Sequence, residues 1–123
     1  EMKKLVGGLL LLGAFAFSNA QTITFDKTTI DYGTVKANSD GNRVFTFTNT
    51  GDKPLILSNV QPGCGCTASE YTKEPILPGK KGEIKVHYNT ATVAPFKKTI
   101  DVFSNDPANG RIVLYIQGTV VAQ

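Results

Sequence analysis

Between Glu83 and Asn89 the side chains alternate without a break. Ile84, Val86 and Tyr88 fall on one side, and Lys85, His87 and Asn89 on the other. A period of two is the signature of a β-strand with one face in the core and one in water. The same pattern runs from Arg43 to Thr50, where Phe45 and Phe47 share one face and Thr46 and Thr48 the other. No segment after Gln21 carries a 3.6-residue apolar period, so helices have no claim on this stretch.

Turn residues cut the alternating stretches into pieces. Asp26-Lys27, Asn38 to Asn42, Thr50 to Pro54 and Asn105 to Gly110 punctuate runs at Thr22–Phe25, Thr29–Val35, Leu55–Val60, Phe96–Ser104 and Arg111–Val121. That spacing predicts about seven strands with turns every roughly 8–12 residues, the pattern of an all-β, immunoglobulin-like sandwich. Gln61 to Gly79 is crowded with Pro62, Gly63, Gly65, Pro75, Pro78 and Gly79, which predicts a loop holding at most a short edge strand. Phe45, Phe47, Ile84, Val86, Ile100, Val102, Leu114 and Ile116 are the expected inward residues. The chain has no Trp, and its two Cys lie two positions apart. They cannot bridge two sheets, so apolar packing alone must hold the core.

The first twenty residues are of another kind. Lys3 and Lys4 precede a run of 13 apolar residues, Leu5 to Phe17, and Ser18-Asn19-Ala20 presents small residues to a signal peptidase. This predicts a secretory signal peptide over 1–20, cut before Gln21, with one sandwich domain over 21–123. Glu1, ahead of Met2, reads as an added residue without a message. A membrane anchor is disfavoured, because a spanning helix needs about 20 apolar residues. The expected product is periplasmic or secreted, with no transmembrane segment in its mature part. Net charge is +3 over 123 residues and +2 without the leader, and the basic residues are scattered. Nucleic acid is therefore not an expected partner.

Several elements together are similar to a known bacterial family. They are Phe25-Asp26, Asp31-Tyr32-Gly33-Thr34-Val35, Phe45 through Gly51, Leu55 to Val60, Cys64-Gly65-Cys66-Thr67, Pro75 through Gly79, Ser104-Asn105 and Gly118-Thr119-Val120. The chain resembles the family catalogued as domain of unknown function 1573 over nearly all of its mature length. Tyr32 stands where that family more usually has Phe, and Gly63 where it more usually has Ser. The resemblance implies kinship with Hydin-type and major-sperm-protein-type immunoglobulin-like domains, which are interaction modules. It brings no catalytic residue with it.

The chemistry-bearing residues are few. His87 is the only histidine, placed on the polar side of its strand and without an evident acid–base partner. No phosphate loop, metalloprotease motif or nucleophile elbow occurs. Cys64 and Cys66 admit three readings: a strained disulfide across Gly65, two idle thiols, or a soft pair for copper(I) joined by His87. The disulfide is favoured, because unpaired thiols seldom persist after export. Lys80-Lys81 and Lys97-Lys98 read as a solvated rim. The expectation is a non-catalytic, cofactor-free module of the bacterial cell envelope. It would bind another envelope or extracellular protein or polymer through a sheet edge or its loops. The competing reading is a thiol redox or copper(I)-binding protein built on Cys64 and Cys66.

Overall fold

A computed structural model describes residues 20–65 and 67–123, and the leader and Cys66 lie outside the described residues. Eight strands follow in order: β1 (Ile23–Phe25), β2 (Thr29–Lys36), β3 (Asn42–Asn49), β4 (Leu57–Pro62), β5 (Thr67–Tyr71), β6 (Lys81–Tyr88), β7 (Pro95–Ser104) and β8 (Arg111–Val121). Two four-stranded sheets result, ordered β1-β3-β6-β5 and β2-β8-β7-β4. All pairs are antiparallel except β2 with β8, which run parallel. The chain changes sheet at every step from β1 to β5, and only β5-β6 and β7-β8 are neighbours in both sequence and sheet. Such crossing stitches the two layers together without a covalent link.

The expected strands are all present, with one addition and one shift. β5 raises the count from about seven to eight, and it is the short edge strand the irregular middle section allowed. Its ladder to β6 fixes it. Leu55, expected to open β4, instead makes an isolated bridge with Ile76, while β4 runs on to Pro62. Bridging there lets Leu55 and Ile76 bury their side chains and close the gap between the sheets.

All eight expected inward residues are buried, none more than 1% exposed. Period-two patterning therefore placed every one on the correct face. Glycine matters most at Gly82, where a Cβ would lie 2.4 Å from Cζ of Phe47, so a side chain there would collide with the core. At one end Tyr32, Tyr88 and Phe96 cluster, with Tyr88 and Phe96 stacked 3.9 Å apart. Tyr32 earns its hydroxyl: the group donates to the Gly41 carbonyl at 2.8 Å, and the Arg43 guanidinium covers its ring at 4.1 Å. Burial pushes the phenol up to about 12, with Arg43 pulling the other way.

Two buried polar side chains fasten the start of the domain. Asn49 is fully buried and uses its whole amide. Its Oδ1 accepts from the N–H groups of Thr22 and Gly51, and its Nδ2 donates to the carbonyls of Lys53 and Ile76. Asp106 accepts from the Ile23 N–H on one oxygen and from Ala108 and Asn109 on the other. Burial would raise its pKa, but those three donors outweigh burial and hold the carboxyl below its ordinary value.

Candidate functional site

A sandwich has four strand edges, and each leaves backbone donors and acceptors unpaired unless the chain covers or deforms it. Three of the four are blunted here. β1 is three residues long, and its Ile23 N–H is taken by Asp106 at 3.0 Å. β2 breaks register between Asp31 and Thr34, where Gly33 adopts φ +69° and its N–H turns back to Asp31 Oδ1. β4 breaks register between Leu57 and Asn59 and ends on Pro62, which has no N–H to offer. A bulge or a proline disrupts further pairing at an edge.

β5 carries none of these devices. Its register with β6 is continuous over five residues, Thr67 with Tyr88 through Tyr71 with Ile84. The Thr72 N–H donates to the Glu83 carbonyl at 3.1 Å, which fixes the phase of the ladder. Bonded and unbonded pairs alternate in an antiparallel ladder. Glu70 and Ala68 are therefore the residues that bond β6, while the backbone groups of Ser69 and Tyr71 point away from it. Two shallow depressions flank the strand and share Ser69, Glu70 and Lys85. One continues to Thr72, Lys73, Glu74 and Glu83, and the other to Asn42, Val44 and His87. Val44 is 45% exposed, an apolar spot on an otherwise polar face.

Of the residues singled out from sequence, Cys64 and His87 lie near this strand. Cys64 is half-buried in the turn that leads from β4 into β5. Its carbonyl accepts from the Thr67 N–H at 3.3 Å, and its sulfur lies 3.8 Å from Thr67 Oγ1. Cys66, the other half of the expected pair, lies outside the described residues. His87 is exposed on β6, in register with Ala68 of β5 and Asn42 of β3. Its Nδ1 sits 3.0 Å from Asn42 Oδ1, an amide rather than a carboxylate or nucleophile. No group of three or more His, Cys, Asp or Glu is placed to hold a metal among the described residues. Lys80, Lys81 and Lys97 are exposed, Lys97 with its Nζ 5.3 Å from the Tyr115 ring centroid, and Lys98 is half-buried. The sequence allowed a short edge strand between Gln61 and Gly79 without placing it. The signal was present as a stretch without Pro or Gly, Thr67 to Glu74, inside the most Pro- and Gly-rich part of the chain.

Fold and edge together define an all-β, immunoglobulin-like sandwich with one regular strand left open. The chain belongs to the family described as Protein of unknown function (DUF1573), which matches residues 23–120. A search of curated proteins finds no match. Among solved structures it is similar to a protein of unknown function from Porphyromonas gingivalis W83, with TM-score 0.73 and 15% identity over 83% of this chain and 48% of that one. This chain thus spans about half the length of that protein. The ASH / PapD-like domain 7 of human CEP192 matches with TM-score 0.65 and 8% identity, covering 85% of this chain and 88% of that one. The CsuC-CsuE chaperone-tip adhesion subunit pre-assembly complex of Acinetobacter baumannii gives TM-score 0.56 and 10% identity, covering 80% and 57%. Identities this low show a shared fold.

Proposed function

We propose that this protein is an exported, non-catalytic module that binds an extended segment of another envelope or extracellular protein along β5. The observation that carries the reading is the contrast among the edges. Three are blunted, and the fourth offers regular backbone groups at Ser69 and Tyr71. An added strand would satisfy those groups, which is the physical basis of strand addition. Binding rather than catalysis is favoured by the surroundings of the single histidine, whose ring nitrogen faces an amide. A fold shared with a chaperone in a pre-assembly complex adds support by analogy alone.

The reading includes residues 1–20 as a signal peptide and 21–123 as the exported domain, periplasmic or secreted. Intact mass of exported protein should place the N-terminus at Gln21, and one near Met2 would overturn the leader. It also includes a disulfide between Cys64 and Cys66, which would brace the turn entering β5.

Site-specific crosslinking in the native envelope tests the function. A photo-crosslinker at Lys73, beside β5, should yield a defined adduct, while one at Lys97 on the opposite sheet should not. Ser69→Pro removes an open-edge N–H without touching the ladder to β6, and should abolish the Lys73 adduct. Equal adducts from both positions, or an adduct indifferent to Ser69→Pro, would overturn the proposal.

A further inference from the structure

The chain is basic overall, yet its glutamates after Glu1 lie on or next to the open strand, while its aspartates are spread over other turns and strands. Glu70, Glu74 and Glu83 are all the glutamates beyond Glu1, and all three line the depression beside β5. Each is exposed. Two lysines share the depression. Lys73 sets its Nζ 5.5 Å from the centroid of the Tyr71 ring. Lys85 is on β6, one strand inward, in register with Glu70.

Ladder phase turns this gathering into a specific position. Glu70 bonds its backbone to β6, so an added strand would meet it as an unbonded pair. Side chains approach most closely at such pairs, and opposite charges there are favourable while like charges are not. The row across the sheet already reads Val44, Lys85, Glu70 from β3 outward. Alternation of charge continues if the next residue in that row is basic.

We infer that the occupant of β5 is an extended peptide segment carrying Lys or Arg opposite Glu70, with neutral residues on either side of it. This rests on the edge-pairing reading above and adds the partner's chemistry to it. A second copy of this chain is the poorer occupant in the two-fold register that bonds Ser69 to Tyr71 of the copy, because that register sets Glu70 against its own counterpart.

Short peptides of alternating Thr and Val, identical except for Lys, Gln or Glu at the centre, test the inference by fluorescence anisotropy with the exported domain. The Lys peptide should bind about three- to tenfold more tightly than the Glu peptide, as expected for a favourable cross-strand pair replaced by a repulsive one. Glu70→Lys should invert that order, and Glu70→Gln should flatten it. Circular dichroism of each variant checks that the fold is retained. Equal binding of all three peptides, unaffected by Glu70→Lys, would overturn this inference while leaving edge pairing intact. Binding by none of them, or sedimentation showing a dimer lost in Ser69→Pro, would overturn both.

Discussion

Removing the Asn49 side chain should cost the domain more than removing most of its apolar ones of similar size. In Asn49→Ala the Ile76 carbonyl keeps the Leu55 N–H as a partner at 2.9 Å. The Thr22 N–H, Gly51 N–H and Lys53 carbonyl lose theirs, and these three contacts are part-buried. An unsatisfied buried group costs about 1–3 kcal/mol, and part-burial puts each near about 1. With about 1 kcal/mol more for the lost bond to Ile76, the total comes to about 4 kcal/mol. A small domain has roughly 5–15 kcal/mol in all. In urea, with a slope of about 1.5 kcal/mol/M, the midpoint should fall by about 2–3 M at unchanged slope. Asn49→Asp, equal in volume, should be nearly as costly, because its carboxylate would face the Lys53 and Ile76 carbonyls. A midpoint shift below about 0.5 M for Asn49→Ala would refute the reasoning, since a hub of four bonds cannot be that cheap to lose.

Phe47→Ala, at a residue with no exposure, should destabilise by about 3–5 kcal/mol, and melting like the parent would contradict the face assignment of β3. Asp106 should give the acid limb of stability. Its folded pKa is depressed, so its contribution is present above the unfolded value of about 3.9 and is lost as pH falls through the depressed folded value. The stability gap between wild type and Asp106→Asn should therefore be full at neutral pH and narrow in acid, and a pH-independent gap would contradict it. Cys64 and Cys66 should resist alkylation in exported protein prepared without reductant and react fully after mild reduction. Two thiols freely alkylated in native protein would overturn the bridge.

How much could be read from sequence depended on whether a signal was local. Glu83 to Asn89 declares its strand and its faces, because the period is written in seven consecutive side chains. Phe45 and Phe47 do the same. Tyr32 was visible only as a departure from a family pattern, and its partner, the Gly41 carbonyl, is brought there by a turn. Asn49 read as a strand residue and Asp106 as a turn residue. Their capture of Thr22 and Ile23, 27 and 83 positions away, depends on sheet order, which no window of sequence contains. The open edge was hidden for the same reason. Edge strands are defined by which neighbour is missing, and β5 is an edge only because β6 pairs with β3 on its other side.

Amide hydrogen exchange resolved by residue tests the central claim most directly. In the free protein, the Glu70 amide should exchange slowly, held by the ladder to β6, while those of Ser69 and Tyr71 exchange fast. Saturation with the lysine-centred peptide should slow Ser69 and Tyr71 by at least about tenfold and leave the edges of β2 and β4 unchanged. Protection that appears along β2 or β4 instead, with Ser69 and Tyr71 still fast, would contradict the account.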